Sequence, residues 1–109
     1  MRLLVTGVTG YIGGRLVPEL LDAGHEVRVL ARHPERLADR TWVDRVEVVA
    51  GDADDPETVR RALDGMDVAY YLLHSLMAGE GFEELERRIA RTFAATAREA
   101  GVGRIVYVG

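Results

Sequence analysis

The chain has 109 residues with no cysteine and no lysine, and its fourteen arginines stand against eighteen carboxylates for a formal charge of −4. That length suits one domain, the missing cysteines exclude disulfides, thiolate metal sites and cysteine nucleophiles, and the acidic balance argues against a nucleic-acid partner, which needs a basic face. No apolar run approaches membrane length, and the first strand begins at once, so neither a membrane nor a targeting segment is expected and a reducing, cytoplasmic setting is.

Arg2 to Thr6 is predicted as the first strand, and it runs into Gly7-Val8-Thr9-Gly10-Tyr11-Ile12-Gly13-Gly14. A tight turn needs Gly7, a close backbone approach to a pyrophosphate needs Gly10, and packing of the next helix on the strand needs Gly13. The spacing is G-x-x-G-x-x-G, distinct from the commoner G-x-G-x-x-G. The strand before and the helix after favour a dinucleotide phosphate site over an ordinary glycine-rich turn. The helix N–H groups and dipole then face the phosphates, so Thr9, Tyr11 and Ile12 join the three glycines as candidate cofactor contacts.

The first helix is predicted from about Gly13 to a stop at Gly24, with Leu16, Leu20 and Leu21 on one side and Pro18 close enough to the start to cost little. Glu26 to Ala31 is the second strand, apolar enough at Val27, Val29 and Leu30 for burial on both faces. A short helix is expected over Pro34 to Asp39, with Trp42 covering the sheet edge and His25 on the surface. Val46 to Ala50 is the third strand. Asp55-Pro56-Glu57 reads as an N-cap, a proline at the first helical position and a first-turn acid, with Gly65 ending that helix. Asp67 to Leu73 is the fourth strand. A long helix from about Phe82 to Ala100 follows, its Phe82, Leu85, Ile89, Phe93 and Ala97 facing the core and its Glu83–Arg87 and Glu84–Arg88 pairs exposed. Ile105 to Val108 is the fifth strand. Repeated β-α units predict an α/β doubly wound parallel sheet, Rossmann-like, in the order 3-2-1-4-5 with helices on both faces, and a ligand crevice beside the glycine turn.

Three downstream segments bear on that crevice. At the end of the second strand, where an acid would accept from both ribose hydroxyls of NAD, stands Arg32, whose guanidinium can grip a 2′-phosphate. NADP(H) is therefore expected ahead of NAD(H), with Arg36 as a second contact; the alternative is that Arg32 caps its strand in solvent. In Gly51-Asp52-Ala53, the carboxylate can accept from an adenine amino group and a backbone N–H can donate to the ring, while Asp52, Asp54 and Asp55 equally suit a turn or cap. After the fourth strand, Leu73, His74 and the hydroxyl of Ser75 are expected at the carboxyl edge, near where the second ribose and nicotinamide would lie. His74 has no adjacent carboxylate to tune it as a base, so orienting the cofactor or satisfying backbone groups is its expected role.

Thr6-Gly7-Val8-Thr9-Gly10-Tyr11-Ile12-Gly13, Arg32, Gly51-Asp52-Ala53 and Arg104-Ile105-Val106-Tyr107-Val108-Gly109 resemble the atypical branch of the extended short-chain dehydrogenase/reductases. Tyr71 to Leu76 is similar to the fourth-strand motif of bacterial NAD(P)H-binding proteins whose longer forms carry a further C-terminal domain. The resemblance implies a nucleotide-binding fold, cytoplasmic location and NADP(H), with the glycines, Arg32 and Asp52 carried over by position. Typical members have a serine after the fifth strand and a Tyr-x-x-x-Lys farther on; this chain ends at Gly109 and has no lysine, and Thr92 stands where relatives often have asparagine. The expectation is one domain over 1–109, truncated after the fifth strand and completed by a C-terminal part of the same protein. It would be the cofactor half of an NADP(H)-dependent oxidoreductase or of a nucleotide-sugar epimerase/dehydratase-like enzyme acting on a small molecule. The alternative is a non-catalytic NADP(H)-binding sensor or scaffold. A kinase is disfavoured, since no Gly-Lys-Ser/Thr phosphate loop is present.

Overall fold

The computed structural model describes residues 1–7, 11–72 and 80–108, except the side chains of 11, 12 and 80–83. Five strands, β1 (Arg2–Thr6), β2 (Glu26–Ala31), β3 (Glu47–Ala50), β4 (Val68–Leu72) and β5 (Arg104–Val108), pair in parallel in the order β3-β2-β1-β4-β5. Helix α1 (Tyr11–Asp22) and two short 3-10 turns, Pro34–Leu37 and Val43–Arg45, cover one face; α2 (Pro56–Leu63) and α3 (Glu80–Glu99) cover the other.

Alternation along the central strands builds both cores. In β1, Leu4 points into a cluster with Val59, Leu63, Ala69, Tyr71 and Phe93 beneath α2 and α3, while Val5 joins Val17, Val29, Leu37 and Trp42 beneath α1. Tyr71 packs edge-on against Phe93, ring centroids 5.0 Å apart, and tilts against Tyr107 at 5.8 Å. Asp55 is the N-cap of α2 as predicted: Oδ1 accepts from the Glu57 N–H at 3.3 Å, Oδ2 accepts from the Thr58 hydroxyl at 2.8 Å, and Pro56 opens the helix.

Several expectations change. Helix α1 starts at Tyr11, two residues before Gly13. Pro18 is therefore interior, and the Gly14 carbonyl loses its i+4 donor. Val17 is the fully buried centre of that helix, flanked by the partly buried Leu16, Leu20 and Leu21. The Pro34–Asp39 segment is a 3-10 turn that ends at Leu37. Trp42 is not a rim residue but is 3% exposed within the α1-side core, since no full helix joins β2 to β3 and a large ring fills that space. His25 is half-buried. Strand β3 starts at Glu47, β5 at Arg104 and α3 at Glu80, while β4 runs from Val68 to Leu72 within the described residues. Arg88, expected to pair with Glu84, reaches Asp54 in the loop before α2, Nη2 to Oδ1 3.5 Å.

Candidate functional site

Strand order reverses between β1 and β4, and in open parallel sheets a ligand lies outside the carboxyl ends of the strands at such a point. The ladder from β1 to β4 runs Leu3↔Val68, Leu4↔Ala69, Val5↔Tyr70. One residue farther, the Thr6 hydroxyl takes over, donating to the Tyr70 carbonyl at 3.4 Å and accepting the Leu72 N–H at 3.3 Å. A side chain thus stands in for main chain where the strands part. Thr6 is buried, so those backbone groups are satisfied without water.

Gly7 follows with φ +70, a left-handed conformation that lets the chain turn off β1 into α1 and that an L side chain disfavours. Gly13 is buried in the first turn of α1. Tyr11 and Ile12 lie in that turn by backbone; Thr9, Gly10, Leu73 and His74 lie outside the described residues. No acid occupies the first turn of α1, so no carboxylate on that turn opposes an anion drawn to its N–H groups and dipole. Arg40, which sequence reasoning did not single out, brings its guanidinium to the same turn: a Cβ built on Gly14 would stand 3.3 Å from its Nη1. The connector after Pro34–Leu37 carries it there, a placement that depends on a 3-10 turn the sequence did not specify.

The structure brings Arg32 and Asp52 together. Ala31 pairs with Ala50, and the Gly51 N–H donates to the Ala31 carbonyl at 3.1 Å, so β2 and β3 leave the sheet side by side. Arg32 Nε then lies 3.6 Å from Asp52 Oδ2, with the side chains 65% and 49% exposed. Asp52 Oδ1 accepts the Asp54 N–H at 3.0 Å, an Asx turn. The turn reading of Asp52 is thereby met, the helix cap is Asp55, and Oδ2 faces Arg32. Gly51 makes this possible: its φ is +154, and a Cβ there would stand 2.5 Å from Thr58 Cγ2. Ala53 packs, half-buried, against the α2/α3-side core. Arg36 is exposed, and His33 pairs with Glu35, Nδ1 to Oε1 3.5 Å.

A cleft of ≈ 380 Å³ lies at the opposite, amino edge of the sheet, lined among others by Arg2, His25, Arg28, Arg45 and Glu47. Its charges are already matched: Arg2 with Glu26, Arg28 with Glu47, Arg45 with Asp22. Among the described residues no cluster of His, Asp or Glu is arranged to hold a metal, and no helix is long and apolar enough to cross a membrane.

A family model described as NAD(P)H-binding matches residues 7–109. A 3β-hydroxysteroid dehydrogenase/Δ5→4-isomerase of Mycobacterium tuberculosis is 35% identical over 97% of this chain and 30% of its own length. A (4-alkanoyl-5-oxo-2,5-dihydrofuran-3-yl)methyl phosphate reductase of Streptomyces griseus is 40% identical over 95% of this chain and 33% of its own length. The chain thus spans about a third of the curated relatives it matches. Among solved structures, the triphenylmethane reductase of a Citrobacter species complexed with NADP(H) superposes with a TM-score of 0.79 at 26% identity, covering all of this chain and 37% of that one. A short-chain dehydrogenase/reductase superfamily protein of Agrobacterium tumefaciens with bound NAD gives 0.78 at 24% identity, covering 98% of this chain and 32% of that one.

Proposed function

Since this chain belongs to the NAD(P)H-binding family, we propose that it is the cofactor-binding part of an NADP(H)-dependent oxidoreductase of the atypical short-chain dehydrogenase/reductase branch. The observation that carries this reading is the left-handed Gly7 at the carboxyl end of β1, where the chain enters α1 at the strand-order switch. Gly7, Gly10 and Gly13, with Thr9, Tyr11 and Ile12, hold the pyrophosphate through backbone N–H groups at the start of α1. Arg32 takes the 2′-phosphate with its guanidinium fork. Asp52 and Ala53 border the adenine, and Leu73 and His74 the nicotinamide end. When bound, the nicotinamide supplies the hydride chemistry.

The two relatives bear names of different substrates, a hydroxysteroid and a furan-methyl phosphate, yet share this third of their length with the chain. That supports assigning cofactor binding to this segment and substrate binding to sequence beyond it. The one proton-transfer signature expected of typical members, Tyr-x-x-x-Lys, has no lysine here to complete it, so catalytic acid–base groups belong to that further part as well.

Calorimetric titration of the protein with NADPH and NADH, wild type and Arg32→Ala, tests the reading. Preference for NADPH that disappears in the variant supports it; equal binding of both cofactors by wild type makes Arg32 a solvent-facing strand end. No binding of either refutes the cofactor site.

A further inference from the structure

We infer that Asp52 is a positioning residue for the 2′-phosphate: it holds the Arg32 guanidinium by its Nε edge and leaves the Nη pair to face the phosphate. This rests on the NADP(H) reading above and adds to it a role for Asp52 distinct from adenine contact.

A strand-end arginine that is 65% exposed carries a long, mobile side chain, and ordering it on binding costs affinity. A carboxylate held beside its Nε removes part of that disorder beforehand. Asp52 is itself anchored, since Oδ1 accepts the Asp54 N–H at 3.0 Å. That leaves Oδ2 3.6 Å from Arg32 Nε. The anchor is built into the fold: Gly51 leaves β3 with φ +154 over Thr58, and its N–H is tied to Ala31, the residue before Arg32. A guanidinium can chelate along its Nε side or across its two Nη atoms. With a carboxylate at Nε, the Nη end remains for two phosphate oxygens. The Asp52 charge also repels the phosphate, but from the far side of the guanidinium, whose positive charge lies between the two anions and nearer to each.

The test is a double-mutant cycle at 0.15 M salt, reading the ratio of NADH to NADPH dissociation constants for wild type, Asp52→Asn, Arg32→Ala and the double variant. Asp52→Asn keeps an oxygen for the Asp54 N–H and removes the charge facing Arg32; Asp52→Ser, which also keeps an acceptor there, is the second variant. The expected result is a ratio narrowed about threefold by either change, in the range measured for exposed ion pairs, over and above any loss both cofactors share through the adenine contact, and with no further narrowing in the Arg32→Ala background. Equal weakening of both cofactors, an unchanged or wider ratio, or the same narrowing without Arg32 would overturn the positioning role while leaving the Arg32 reading intact. A wild-type ratio near one would remove both.

Discussion

Thr6 has a small side chain, yet it closes two backbone hydrogen-bonding groups of β4 at the point where β1 and β4 separate. Thr6→Val keeps the shape and leaves the Tyr70 carbonyl and the Leu72 N–H short of a partner, so chemical denaturation should show a loss of about 1–3 kcal/mol. Gly51 is a second such position. An alanine there meets both a disfavoured φ and the Thr58 side chain at 2.5 Å, and Gly51→Ala should destabilise by about 1–3 kcal/mol. Tyr71 has a pH consequence. Burial first, then the Glu86 carboxylate and the Tyr107 hydroxyl, raise its phenol above the ordinary 10.0. The folded state therefore holds this proton more tightly than the unfolded chain. Its contribution is intact below pH 10 and is lost as pH rises from there through the folded value. Urea unfolding above pH 10 should fall less steeply for Tyr71→Phe than for wild type; identical slopes would contradict the assignment.

Among the elements, α2 depends on a residue from the opposite side of its sequence neighbourhood. Arg28 of β2, whose side chain is only 11% exposed, places Nη1 at 3.1, 3.0 and 2.8 Å from the carbonyls of Arg61, Ala62 and Asp64, while Nε meets Glu47. It serves as the C-cap of an eight-residue helix whose last carbonyls would otherwise be orphaned. Arg28→Leu should cost about 1–3 kcal/mol in a denaturant melt; a loss no larger than that of a surface arginine would show that water replaces it. The sequence made α2 itself legible, because Asp55-Pro56-Glu57 and Gly65 act within a few residues of the ends they define. It hid Arg28, an arginine inside an apolar strand, because the carbonyls it serves are 33 to 36 residues away. The burial of Trp42 is hidden in the sequence for a related reason: the chain between β2 and β3 forms 3-10 turns with no periodic stripe to reveal which side faces inward. Arg88 likewise found a loop partner, Asp54, that helical spacing cannot indicate.

At the scale of the molecule, the doubly wound order follows from β-α alternation and short crossovers, and it sets the glycine turn at the switch point. Arg32 and Asp52 were each legible as strand-end candidates; their pairing required the β2–β3 register, which only the assembled sheet provides. The two edges of the sheet now make opposite demands. The carboxyl edge offers backbone N–H groups at the start of α1, a left-handed glycine at the strand-order switch and strand-end Arg32, whereas the amino-edge cleft is lined by the charge pairs Arg2–Glu26, Arg28–Glu47 and Arg45–Asp22 with no helix N-terminus or glycine among its lining residues. Amide chemical shifts of the ¹⁵N-labelled protein titrated with NADP⁺ discriminate between them most directly. With the cofactor at the carboxyl edge, the largest changes fall on Gly7, Gly13, Arg32 and Asp52 while Arg2, His25 and Arg45 stay in place; changes centred on the amino edge, or none at saturating cofactor, would contradict that placement.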